Sequence, residues 1–161
     1  MNANLPEEQH SVVLPLNLVR KADQFLDDET QQKRFADLGR KIYDAFSGEN
    51  GGRPGESAPV SSQLRNLQQI AVSASRFSEI ANFVKRQMGR TGKVAERWRK
   101  VGEEILKQLE QLEQQAAHLA ADQTQRFLLR LYLARGWIRA VVGGYMFEKA
   151  LREMGKKGLT E

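Results

Sequence analysis

The chain has 161 residues, 40% of them apolar and 28% charged, with 25 Lys and Arg against 20 Asp and Glu for a formal net charge of +5. That size and balance suit one folded soluble domain and exclude a chain too polar to form a core. The absence of cysteine excludes disulfides, thiolate zinc sites and cysteine nucleophiles, and it fits a reducing, cytoplasmic setting.

Residues 1–15 read as a loosely ordered lead-in, and the opening MNANLPEEQH is too polar and acidic for a signal peptide. A first helical pattern runs from about Leu16 to Phe46, with a break near Asp27–Asp28–Glu29. Leu16, Val19, Ala22 and Leu26 recur at helical spacing, and Phe35, Leu38, Ile42 and Phe46 do the same beyond the break. Residues 47–60, SGENGGRPGESAPV, hold Gly, Ser and Pro in the proportions of a flexible linker. After Val60 the chain has no proline and is rich in strong helix formers. Ser61 or Ser62 is the expected N-cap of a helix reaching about Met88, with Leu64, Leu67, Ile70, Ala71, Ala74, Phe77, Ala81 and Val84 on its apolar side. Gly89 and Gly92 bracket a turn. A third long helix is expected from about Lys93 to Ala121, with a stripe through Val94, Trp98, Val101, Ile105, Leu109, Leu112 and Leu119. A last helix is expected from about Asp122 to Met154. Between Phe127 and Val142 its apolar residues surround the helix, so it should be buried in a bundle or against another chain. Gly143–Gly144 predict a kink or a close helix crossing. The expected fold is therefore all-α: a helical bundle of about four to five helices over 16–155, with a flexible Gly/Pro-rich linker near 47–60 and a frayed tail at 156–161. No apolar run reaches about 18 residues, so no membrane span is expected.

Charge is segregated along this framework. Residues 85–100, KRQMGRTGKVAERWRK, hold seven bases (Lys85, Arg86, Arg90, Lys93, Arg97, Arg99, Lys100) against one acid, Glu96, or +6 in 16 residues. Residues 1–60 carry 7 basic and 10 acidic side chains, and residues 101–125 carry 1 and 5. Positive charge this dense repels itself, and a polyanion relieves the repulsion. The start of the following helix adds backbone N–H groups that favour anions. Trp98, amid the charges, can stack on an unpaired base or fill a core position. Arg65 and Arg76 lie 11 residues apart, about three helical turns, and would share one face of a helix spanning 61–88. That face can track phosphates or be ordinary solvated surface. Arg126, Arg130, Arg135 and Arg139 interrupt the apolar last helix and need a carboxylate, a path to water or an external anion. Asp27–Asp28–Glu29 and Glu103–Glu104 are candidate internal partners. Arg135, Arg139 and Trp137 form a possible interface.

Catalytic chemistry finds little support. The two histidines, His10 and His118, make no HExxH arrangement, and Glu7–His10 stands alone in the lead-in. Gly51–Gly52–Arg53–Pro54–Gly55 lacks the Gly-Lys-Ser/Thr ending of a phosphate-binding loop. No nucleophile–base pair can be named, and no cofactor or metal is expected.

The segment Ser61–Leu67, SSQLRNL, resembles the T-S-Q/K-I/L-R-N/K segment of the small helical subunit of type III-A (Csm-type) CRISPR interference complexes, which also opens a helix after a loose N-terminal region. The likeness continues through QQIAVSASRF, and RLYLARGWIRAVVGGYMFEKAL has the texture of that family's closing helix. The specific part is about seven residues. The chain departs from the pattern in its long Gln/Glu-rich connection and in the helical region of about 30 residues before the linker. The resemblance implies a non-catalytic bundle, present in several copies and stacked along the effector. Its partners would be the backbone subunits, the large subunit, the guide RNA and the target RNA. By motif it reaches Arg65 and, more weakly, Gln63 and Asn66. Two other readings stand beside it: a helical protein–protein adaptor without nucleic acid, its interface made by 101–121 and the last helix, and a DNA-binding regulator, for which no short helix-turn-helix is found.

Overall fold

The structure is a computed structural model that describes residues 13–47 and 58–158, with backbone alone at 58–61 and 156–158. Among the described residues the protein is all-α and has no strand. It consists of α1 (Leu16–Asp27), α2 (Glu29–Ser47), α3 (Ala58–Ser73), α4 (Ser78–Gly89), α5 (Lys93–Leu119) and α6 (Gln123–Gly158). No helix among them is long and apolar enough to cross a membrane. The lead-in before Val13 and residues 48–57 of the expected 47–60 linker lie outside the described residues, whereas Ser47 belongs to α2 and residues 58–60 to α3.

Local chemistry accounts for several boundaries. Pro15 precedes α1, and its carbonyl accepts the N–H groups of Leu18 and Val19 at 3.0 and 3.1 Å. Asp28 divides the first helical pattern at the acidic cluster. Its carboxylate accepts the Gln31 N–H at 3.3 Å and its carbonyl the Gln32 N–H at 2.9 Å, so it starts α2 as an N-cap. Asp122 does the same for α6 through the N–H groups of Gln125 and Arg126.

The expected helix 61–88 is two helices, which makes six rather than four or five. The chain leaves helical geometry at Ala74–Phe77 and resumes at Ser78. Ser73 donates its hydroxyl back to the Gln69 carbonyl at 2.6 Å, a bond of the kind that competes with the helix's own hydrogen bonding. The bend also lets the two halves bury against different neighbours, α3 on α6 and α4 on α5. Helix α3 begins at Ala58, upstream of Ser61 and Ser62, which therefore do not cap it. At the far end α6 continues through Gly158, past the expected stop at Met154.

Helix α6 is the central member and touches α1, α2, α3 and α5. Leu129, Leu133, Ala134, Trp137, Ile138, Val141 and Tyr145 are buried along it, as its all-round apolar pattern predicts. The run α1–α2 lies alongside α6 in one direction, at a nearly constant separation of 108–110 residues. Asp23 meets Tyr132, Leu26 meets Gly136, Ala36 meets Gly144 and Asp44 meets Arg152. These contacts migrate around α6, so the two cross. At the crossing a side chain on Gly39 would strike the Val141 carbonyl, and one on Gly144 would strike the Ala36 backbone. The expected close crossing thus belongs to Gly144 and its partner Gly39. Beyond it α2 lies to one side of α6 and leaves the opposite face of the last turns uncovered.

Candidate nucleic-acid interface

The basic segment folds as the end of α4, a three-residue turn at Arg90–Thr91–Gly92, and the start of α5. Gly92 has φ +105°, a conformation that side chains disfavour, and it begins α5 directly. Three further features hold the turn in place. Gly102 sits against the Met88 side chain, so α4 and α5 approach closely. Arg99 donates from Nε to the Met88 carbonyl at 2.8 Å and from Nη2 to the Arg90 carbonyl at 2.6 Å, satisfying groups that α4 leaves open at its C-terminus. Trp98 is buried, edge-on to Phe46 at 5.4 Å and to Phe83 at 5.8 Å, and its Nε1–H donates to Gln63 at 3.0 Å.

These contacts divide the predicted site residues. Lys85, Arg86, Arg90, Lys93 and Lys100 are exposed around the turn. Arg97 is half-buried and donates to the Phe46 carbonyl at 3.3 Å, so it ties α5 to the end of α2. Arg99 is exposed but clasps the turn itself. Trp98 belongs to the core and is closed to a stacking base, because two aromatic rings and a glutamine satisfy it from inside.

Arg65 and Arg76 are both exposed, but the shared face expected for them does not exist. Arg76 lies in the break between α3 and α4. It stands at the opposite end of α4 from the basic turn, about 18 Å away by helix rise. Gln63, brought forward by the same motif as Arg65, faces inward to Trp98. Arg65 lies two residues further round α3, about 200°, and points away from it.

The arginines of α6 also separate. Arg126 donates to the Ala120 carbonyl and so closes the end of α5, a partner outside the carboxylate, water and external anion expected for these arginines. Arg130 is half-buried, with an Nε that has no partner among the described residues. Arg135 and Arg139 are exposed along a groove of about 660 Å³ between α1–α2 and α6. Trp137, expected at an interface with them, is fully buried, and its Nε1–H donates to Gln108 at 2.9 Å. It therefore belongs to the core. Tyr132 lies in the groove and donates to Asp23 at 2.6 Å; that bond, with burial and the carboxylate charge, raises the phenol above its ordinary pKa. No group of three or more potential metal ligands occurs among the described residues.

Sequence reasoning missed the clasping role of Arg99 and the inward role of Gln63. For Arg99 the available signal was position: an arginine nearly two turns into α5 can reach back to a helix ending just before the turn. Compared with protein families, with curated proteins and with solved structures, the chain matches none of them.

Proposed function

We propose that the protein is a non-catalytic, RNA-binding structural subunit of a type III CRISPR ribonucleoprotein. In this reading it contacts guide and target RNA through phosphates and packs against backbone subunits, the large subunit and other copies of itself. The observation that supports it best is the turn at 90–92, where Gly92, Arg99 and Trp98 build a platform and Lys85, Arg86, Arg90 and Lys93 are exposed around it. The SSQLRNL resemblance supplies the assembly. With Trp98 buried, the site reads backbone charge and shape rather than stacked bases. Sequence specificity then rests with guide pairing.

The test is RNA binding by fluorescence anisotropy across salt, using the quadruple variant Lys85→Gln, Arg86→Gln, Arg90→Gln and Lys93→Gln. Arg97 and Arg99 are left intact because both have structural partners. Each lost phosphate contact should flatten the log–log salt slope by about 0.7–0.9, or roughly 3 in all, with the helical circular dichroism unchanged. An unaltered slope would remove the basic turn from the interface. The adaptor reading draws support from a different observation, the exposed apolar face of α6.

A further inference from the structure

Past its crossing with α2, α6 presents large apolar residues to solvent: Met146, Phe147, Leu151 and Met154 are 46–67% exposed. Nothing in the basic turn accounts for them. Ala140, Gly143, Phe147, Ala150 and Met154 follow one another at intervals of three and four. They share a sector about 80° wide, the spacing of a coiled-coil seam. Gly143 lies in this seam, and a side chain there would meet nothing within 4 Å. Glycine inside a helix is destabilising relative to alanine, and no contact within the chain explains this one.

We infer that the exposed face of α6 pairs with a second copy of the chain, antiparallel and about a two-fold axis. Three features of the face fit its own reverse. Phe147 of each copy falls opposite Gly143 of the other, so the largest seam residue meets the open glycine. Ala140 falls opposite Ala150. On one flank Arg139 falls opposite Glu153, with Met146 meeting Met146 at the axis. Both side chains are exposed, and among the described residues neither Arg139 nor Glu153 makes a hydrogen bond or ion pair. The groove between α1–α2 and α6, bordered by Ala36 and Arg40, continues from the seam and receives the last turns of the second copy's α6. Such an interface is isologous: each contact occurs twice, and the pair closes without propagating. It uses a different face from the basic turn and stands whether or not that turn takes RNA.

Sedimentation velocity on the nuclease-treated full chain tests the pairing. The expected result is a species of twice the 18.3 kDa chain mass that dissociates on dilution. Phe147→Glu should abolish it without changing the melting curve in dilute solution, where the chain is monomeric, because that side chain is exposed. Arg139→Glu and Glu153→Arg should each weaken it roughly tenfold, and their combination should restore it, since the two-fold axis doubles every repulsion and every repair. The chain lacks cysteine, so Met146→Cys should cross-link to its own copy under mild oxidation while Leu151→Cys should not. A monomer at every concentration, a dimer that survives Phe147→Glu, or charge reversals that fail to rescue each other would each overturn the inference. The quadruple basic-turn variant should dimerise normally, so failure here and failure of the RNA reading are distinguishable.

Discussion

Gln108 is the most consequential single polar residue in the core. It is 1% exposed, accepts the Trp137 indole N–H, and donates to the Arg34 carbonyl at 3.3 Å and the Glu104 carboxylate at 3.2 Å. One amide thereby joins α5 to α2 and α6. Replacing it with Leu keeps the volume but leaves a buried indole donor without an acceptor, an omission that costs about 1–3 kcal/mol. Chemical denaturation of Gln108→Leu should show that loss. Trp137→Phe should remove much of the penalty in the double variant, because the orphaned donor is then gone. Substitutions that simply add would mean the two side chains are not coupled. This pair is illegible in the linear chain. A glutamine in a Gln/Glu-rich helix looks solvated, and its partner lies 29 residues away on another element. Trp98 is the easier case. Its spacing with Val101 and Ile105 already marked the inward face of α5, and only the surrounding charge suggested otherwise.

Neighbouring glycines on α6 carry opposite predictions. At Gly144 an added methyl would overlap the Ala36 backbone at the α2 crossing, so Gly144→Ala must push two helices apart. Overpacking of that kind costs about 1–3 kcal/mol. At Gly143 there is open space, and the same substitution should stabilise the monomer by about 0.5–1 kcal/mol through helix propensity alone. Thermal unfolding of both variants in dilute solution checks the contrast, and equal effects would contradict the crossing geometry. The pair Gly143–Gly144 signalled something special in the sequence, but which glycine touches a neighbour depends on where α2 crosses. The bend at Ala74–Phe77 was hidden for a related reason. The apolar positions Leu67, Ala71, Ala74, Phe77, Ile80 and Val84 keep helical spacing straight through it, so periodicity reports one helix where tertiary packing makes two. The break at Asp28 was legible because a run of acids and a capping side chain coincide there.

Across the whole molecule, the charge segregation legible in composition becomes a spatial separation. Lys93 opens α5, while the exposed acids Glu110 and Glu113 lie about 25 Å or more along it. That distance exceeds the screening length of roughly 8–10 Å near physiological salt, but it is comparable with the roughly 30 Å reached at about 0.01 M. In the proposed RNA-binding role, Glu110 and Glu113 should therefore leave binding at the turn unaffected in physiological salt and oppose it only when salt is low. Glu110→Gln with Glu113→Gln should keep the dissociation constant within about twofold at about 0.15 M ionic strength and tighten it measurably at about 0.01 M. The salt slope between about 50 and 200 mM should stay that of the unaltered protein, because no phosphate contact has been gained. Anisotropy titrations at the two ionic strengths distinguish the cases. A large gain in affinity at physiological salt would place RNA along α5 itself, and the turn at 90–92 would then be only one end of a longer contact.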